Sequence, residues 1–137
     1  MKNLVILGSG TAGTMMANHL IKKLNKNDWQ ITLVDQYNSH YYQPGFLFIP
    51  FGTYKPKDVK KTIDEFIPKG VNLVRKKIDR IDKDSNTVIL EEGQTLKYDI
   101  LIIATGCKTA PEEVAGMKGD TWYKNIFDFY TFEGSCA

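Results

Sequence analysis

Three glycines and one acid carry the clearest chemistry in this chain. Gly8, Gly10 and Gly13 form a G-x-G-x-x-G directly after the apolar run Leu4-Val5-Ile6-Leu7. Gly8 permits a tight turn out of a strand, Gly10 lets backbone approach a diphosphate with no Cβ in the way, and Gly13 allows a helix to pack close to the strand. The free N–H groups and positive dipole end of that helix stabilise the anion. Asp35 stands 22 residues after Gly13, at the end of a second mostly apolar run, Gln30-Ile31-Thr32-Leu33-Val34. An acid there accepts hydrogen bonds from ribose hydroxyls. Glycines also gather in ordinary strand–helix turns, and an Asp at a strand end can simply start a turn. Strand, glycine loop, helix, strand and acid in this order point to a dinucleotide site.

The elements that must position these residues follow from hydrophobic pattern. Four consecutive apolar residues, Leu4 to Leu7, read as a strand buried on both faces, as in a parallel sheet. Ala12, Met16, Leu20 and Leu24 repeat every four residues with Met15 beside them, which predicts a helix closing near Asn25 to Asp28 and a right-handed βαβ crossover. Ile100-Leu101-Ile102-Ile103-Ala104 is another continuous apolar strand. It ends in Thr105-Gly106, where glycine permits a second close approach of backbone to ligand.

Between these strands the pattern changes. Asp58 to Ile67 predicts a short helix with Val59, Ile63, Phe66 and Ile67 on one face, ended by Pro68-Lys69-Gly70. From Val71 a mixed strand pattern runs to Asp82. Thr87 to Leu90 pairs back across the turn Asp82 to Asn86, and Glu92-Gly93 turns into Thr95 to Lys97. The expected fold class is therefore α/β: a Rossmann-like domain with a parallel sheet and an inserted antiparallel β-meander. Beyond Gly106, Pro111, Gly116, Gly119 and the aromatic stretch Trp122 to Phe132 predict a loop and an irregular tail. Thr131 is placed to cap a helix at Phe132, but Ala137 follows before a turn or two can form. The pattern reads as a cut.

Other reactive side chains are fewer. Gln36 to Gly52 holds six aromatic residues, two prolines and two glycines, with no charged residue. Two readings fit: a wall for a flat cofactor or apolar substrate, or a loop packed on the core. His40 is a candidate base or proton shuttle, but with no visible Cys, Ser or Asp partner it reads as a hydrogen-bonding loop residue. His19 falls on the first helix and reads as structural. Cys107, directly after the Ala-Thr-Gly turn, is either a reactive thiol near backbone N–H groups or, as free cysteines generally are, buried and inert; the second is expected.

The bulk properties set limits. The chain has 137 residues, 42% hydrophobic and 25% charged, enough for one domain with its own core. A formal charge of +2 gives no case for nucleic acid, and the pairs Lys22-Lys23, Lys60-Lys61 and Lys76-Lys77 read as solvated faces. No apolar run has the length of a membrane span, and no signal peptide is recognisable. Cys107 and Cys136 have neither metal nor C-x-x-C spacing, so no metal is expected and a reducing, cytoplasmic setting is.

These residues, taken in order, resemble a known family. Gly8-x-Gly10-x-x-Gly13, Asp35, a three-stranded meander and Ala104-Thr105-Gly106 resemble the FAD-binding domain of the pyridine nucleotide–disulfide oxidoreductase superfamily, over nearly the whole chain. Within it, His40-Tyr41-Tyr42-Gln43-Pro44-Gly45-Phe46-Leu47 and Trp122 to Tyr130 look most like sulfide:quinone oxidoreductases. The resemblance implies that Gly8, Gly10, Thr11, Ala12 and Gly13 hold the FAD pyrophosphate, and that Asp35, with Gln36 beside it, holds the adenosine ribose. The backbone around Lys77 and Ile78 would face the adenine. Tyr42, Gln43 and Pro44 would lie toward the flavin, and Ala104, Thr105 and Gly106 would pass the diphosphate–ribityl region.

In such enzymes sulfide is oxidised at a cysteine pair beside the flavin, and electrons pass through FAD to a quinone from the membrane side. Family members are much longer, with a second nucleotide-binding-type domain and a C-terminal membrane-contacting part that this chain lacks. Their redox cysteines would lie beyond Ala137, so neither Cys107 nor Cys136 is assigned and no catalytic residue is named. The chain is expected to be the FAD-binding portion of such an enzyme, inactive by itself, from a parent at the inner face of the cell membrane. A hydrophobic face left by the missing domain would favour self-association. The alternatives are a type II NADH dehydrogenase or ferredoxin-reductase relative, a simple NAD-binding dehydrogenase domain, and a nucleotide- or partner-binding module without turnover. The meander and the lack of a Tyr-x-x-x-Lys pair argue against the simple dehydrogenase.

Overall fold

A computed structural model describes residues 1–137. The chain divides into two compact units, Met1–His40 with Thr62–Gly106, and Tyr41–Lys61 with Cys107–Ala137. It passes from the first to the second within a short strand, β3 (Ser39–Tyr41), and returns within another, β4 (Lys60–Thr62).

The first unit is built on β1 (Lys2–Leu7), α1 (Thr11–Lys23) and β2 (Trp29–Val34). Further along come β5 (Val71–Val74), β6 (Ile78–Asp82), β7 (Thr87–Leu90), β8 (Thr95–Lys97) and β9 (Ile100–Ile103). The main sheet has the order β5-β2-β1-β9 and every pairing in it is parallel. Alternate residues of β1 and β2 fill two separate cores, because successive side chains of a strand point to opposite faces. Leu4, Ile6, Ile31 and Leu33 pack with Ala17 of α1. Val5, Leu7 and Val34 pack with Val88 and Leu90 of β7. The sheet thus lies between α1 and the antiparallel meander β6-β7-β8. The doubly buried reading of Leu4 to Leu7 holds, and so does the inserted meander.

Four details differ from the sequence expectation. Val71–Val74 is not part of the meander: it pairs parallel with Ile31 to Val34 as an edge strand, and Arg75 to Lys77 separate it from β6. The helix expected over Asp58 to Ile67 is absent. A single turn, α2 (Pro56–Val59), is followed by extended β4 and a 3₁₀ turn over Ile63–Phe66. The apolar spacing was misleading because Val59 belongs to the second unit and Ile63 to the first. Two separate starts also interrupt it: Asp58 accepts from Lys55 N–H at 2.8 Å and Glu65 from Thr62 N–H at 3.2 Å, as capping residues do. Strand β9 is an edge strand, so Ile100 and Ile103 stay exposed despite the continuous apolar run. On α1 the buried residues are Gly13, Thr14 and Ala17, while Ala12 and Met15 face outward.

The second unit has little regular structure. A 3₁₀ segment over Gln43–Phe48, the turn α2 and the short helix α3 (Phe132–Cys136) are its ordered pieces. Phe46 and Val59 are buried, and the rings of Tyr41, Phe46 and Phe132 lie 5.0 to 6.0 Å apart. Thr131 does cap α3, accepting from Gly134 N–H at 3.0 Å. The turn forms because Asp128 fixes Thr131 in place: its Oδ1 accepts from the N–H groups of Tyr130 and Thr131 and from the Thr131 hydroxyl, at 2.7 to 2.9 Å. Its Oδ2 accepts from the Tyr123 hydroxyl at 2.9 Å. Burial would raise the Asp128 pKa, but these donors outweigh it and hold the carboxyl below its ordinary value. No helix of the chain is long and apolar enough to cross a membrane.

Candidate functional site

The site is assembled at the C-terminal ends of the parallel strands. Gly8 N–H donates to Val34 O at 2.8 Å and Ala104 N–H to Leu7 O at 2.7 Å, so the ladder brings the first glycine turn against the turn after β9. Gly8 has φ +94, and a Cβ there would strike the Ala104 carbonyl. A Cβ on Gly13 would fall on the Gly8 carbonyl oxygen. Both glycines are therefore required by packing. Gly10 differs: nothing lies within 4 Å of where its Cβ would be. The space over Gly10 is open to a ligand.

The start of α1 has the chemistry for an anion. Gly10 is its N-cap, no side chain caps it, and no acidic residue lies in its first turn. The orphan N–H groups and the dipole are left without a protein counter-group. Thr14 N–H and hydroxyl both bond back to Gly10 O, at 3.0 and 2.9 Å, and set the first turn. Thr11 and Ala12 lie on that turn and are exposed.

Asp35 is half-buried at the end of β2. Its Oδ2 accepts from the N–H and the hydroxyl of Ser9, each at 2.7 Å. Its Oδ1 accepts from Tyr37 N–H at 2.9 Å, an Asx turn. The turn read from the sequence is present, and the acid also ties the glycine loop to the second strand, a role the sequence did not show. Two carboxylate oxygens offer about four acceptor positions, so capacity for a ribose hydroxyl remains. His40 Nδ1 lies 3.2 Å from Ser9 O, and its ring sits 4.2 Å from that of Phe66. It lies on strand β3 and not on the loop expected, and its contact with Ser9 O braces the glycine loop.

A cavity of about 410 Å³ opens between these parts. Among the residues singled out from sequence, Gly8, Asp35, Gln36, Lys77, Ile78 and Thr105 line it. Lys77 N–H donates to Glu91 Oε1 at 3.2 Å and Lys77 O accepts from Glu91 N–H at 2.9 Å, so its backbone polar groups are already engaged. Gly106 has φ +75, a conformation that favours glycine. Leu7, Val34, Tyr37, Ile81 and Ile103 also line the cavity and were not singled out. Strand-end apolar residues give no signal of their own until the sheet order is known. Ser9 was missed too, because the motif leaves that position open.

Tyr42, Gln43 and Pro44 belong to the second unit. There Gln43 Nε2 donates to Tyr130 O at 3.2 Å, joining the two sequence segments that carried the narrower resemblance. Cys107 and Cys136 are both free and exposed, so the burial expected of Cys107 is wrong: it follows the glycine turn into an exposed loop that has no core to enter. Desolvation, and then the Glu133 carboxylate, raise the Cys136 thiol above its ordinary value. The lysine pairs are not uniformly solvated. Lys76 Nζ pairs with Glu92 at 2.7 Å, which lowers the Glu92 pKa, and Lys77 lines the cavity. His19 is exposed on α1.

Fold and site together define a Rossmann-like dinucleotide-binding domain. The sequence profile of the family "Pyridine nucleotide-disulphide oxidoreductase" matches residues 2–131, and the chain belongs to this family. Its relatives are FAD-dependent oxidoreductases. The mitochondrial sulfide:quinone oxidoreductase of Dictyostelium discoideum is 31% identical over 133 residues, which is 97% of this chain and 29% of the relative. The type II NADH:quinone oxidoreductase of Staphylococcus aureus is 29% identical over 118 residues, 85% of this chain and 29% of the relative. Among solved structures, the sulfide:quinone oxidoreductase of Aquifex aeolicus superimposes with a TM-score of 0.79 at 28% identity, covering 99% of this chain and 30% of that one. This chain therefore spans less than a third of the length of each of these relatives.

Proposed function

We propose that this chain is the FAD-binding portion of a sulfide:quinone oxidoreductase type of flavoprotein, in which sulfide is oxidised and electrons pass through FAD to a quinone. The observation that carries the FAD assignment is the uncapped, acid-free start of α1 under open space at Gly10, beside Asp35. In this reading the Gly8–Gly13 loop, with Thr11 and Ala12, binds the pyrophosphate, and Asp35 and Gln36 bind the adenosine ribose. Lys77 and Ile78 flank the adenine, while Ala104, Thr105 and Gly106 follow the diphosphate–ribityl stretch. Tyr42, Gln43 and Pro44 are assigned to the flavin end. FAD supplies the redox chemistry when bound; the residues of this chain bind and orient it. Similarity to the Dictyostelium and Aquifex enzymes supports the sulfide and quinone assignment, as does the Gln43–Tyr130 link between the two segments most like that group.

The second reading is a type II NADH:quinone oxidoreductase, favoured by the 29% identity to the Staphylococcus aureus protein. In both, this chain is one domain of a longer protein that works at a membrane surface. The test is an absorbance spectrum and intact mass of the purified chain, followed by turnover with sulfide and a soluble quinone. A flavin spectrum with releasable FAD, and no sulfide-dependent quinone reduction by this length of chain, is expected. A chain that ignores FAD but binds NAD overturns the flavoprotein reading. Quinone reduction by sulfide at an enzyme-like rate overturns the assignment of this chain as a portion that needs further domains.

A further inference from the structure

Ser9 reaches the acid from within the glycine loop and is itself sealed off from the cavity. It is 3% exposed, and it does not line the space that Asp35 and Gln36 face. Both of its donors, the backbone N–H and the hydroxyl, end on a single oxygen, Asp35 Oδ2, each at 2.7 Å. Its own carbonyl is met by His40 Nδ1 at 3.2 Å, and Phe66 stands behind the His40 ring at 4.2 Å. A buried serine fixed at three atoms holds the carboxylate in one orientation.

That orientation limits what the acid can still accept. A carboxylate has about four acceptor positions, shared between its two oxygens. Ser9 fills those on Oδ2, and Tyr37 N–H fills one on Oδ1 at 2.9 Å. A single position is left, on Oδ1. A ribose presents two hydroxyls, and they cannot both donate to this acid. Gln36 is exposed and lines the same cavity, and its carboxamide oxygen is an acceptor for the other hydroxyl. A hydrogen bond to a charged group contributes more than one between neutral groups, so the two hydroxyls contribute unequally.

We propose that Ser9 determines specificity for the nucleotide ribose: by saturating Oδ2 it makes Asp35 an acceptor for one hydroxyl only. The inference rests on the dinucleotide site of the proposed function and adds which atoms discriminate there. Ser9 acts through Asp35 and touches no ligand, so it is a positioning residue. The test is calorimetric titration of the 137-residue chain with ADP, 2′-deoxy-ADP and 3′-deoxy-ADP. One deoxy analogue is expected to bind about thirtyfold more weakly than ADP, and the other about threefold. Ser9→Ala keeps the N–H bond to Asp35 and removes the hydroxyl bond. It should weaken ADP binding about fivefold and leave the strongly affected analogue unchanged, because that analogue no longer uses the acid. A loop merely distorted by the substitution would weaken all three ligands alike. The comparison of analogues on the native chain involves no substitution, so it decides the acceptor count even where Ser9→Ala fails to fold. Equal losses for the two analogues on the native chain overturn the proposal and leave the dinucleotide site standing. A folded Ser9→Ala that weakens all three ligands by the same factor, or none of them, does the same. No saturable ADP binding by the native chain overturns the site itself, and the proposal with it.

Discussion

Ile6 and Leu33 in the first unit are wholly sealed between sheet and helix, whereas the second unit gathers an irregular chain around Phe46, Val59 and one carboxylate. The first unit is held by area: two apolar cores on the faces of one sheet, with the glycine turns fitted between strand ends. The second is held by donors converging on Asp128 and a few stacked rings. Close-packed cores cannot yield to added atoms. A hydrogen-bonded loop instead fails when its acceptor is removed, because the donors are left without partners. Ligand chemistry and framework are also distributed differently. In the first unit Gly8 and Gly13 serve the framework, while Gly10 lies under open space and is the position proposed for the ligand, within one motif.

Gly13→Ala should have the largest effect. Its new Cβ meets the Gly8 carbonyl, backbone against backbone, and overpacking of this kind costs about 3 kcal/mol or more. A urea titration should show the first unit losing its midpoint stability. Retention of the native midpoint would break the claim that this glycine is demanded by packing. Asp128→Ala should come next, at about 2 kcal/mol from lost charge-assisted bonds. Amide exchange should accelerate across 123–135 while β1 and β2 keep their protection. An even acceleration through both units would contradict the division drawn here.

The smallest effect is with pH. A carboxyl whose folded pKa is lowered binds protons more readily when unfolded, so Asp128 contributes stability above the ordinary carboxylate pKa of about 3.9. That stability is lost as pH falls below this value through the lowered folded one. The Trp122 indole NMR signal, from a ring stacked 5.0 Å from Tyr123, should shift over that range in the native chain and not in Asp128→Asn. Asp82, lowered first by the Ser85 hydroxyl, belongs to the first unit and is unchanged in Asp128→Asn, so the comparison of the two proteins isolates Asp128.

The same contrast explains how much was legible in the sequence. Strands β1 and β2, α1, the meander and the glycine turns are written in local pattern: continuous apolar runs, a four-residue repeat, and turn residues at fixed offsets. Asp35 was legible by spacing, but its bonds to Ser9 were not, since they depend on the loop closing over the strand end. The second unit had no such signature. Gln43 reaches Tyr130 and Tyr41 reaches Phe132 across more than eighty residues, and no periodicity encodes that. Val59 and Ile63 fit one helical face by spacing and were claimed by different units. Cys107 was expected to be buried from the general tendency of free thiols, but after a left-handed Gly106 the chain continues along the surface.

Gly10→Val tests the central claim most directly, that this motif separates a framework role from a ligand role. The added side chain enters open space at an ordinary extended backbone, φ −67 and ψ −164, so the melting temperature should stay within a few degrees of the native value. FAD titrated against the chain, followed by flavin fluorescence, should bind saturably to the native protein and lose affinity by at least about a hundredfold in the variant, since the Cβ branch occupies the pyrophosphate approach. Equal FAD affinity in the two proteins, or no saturable FAD binding by the native chain, would contradict the account.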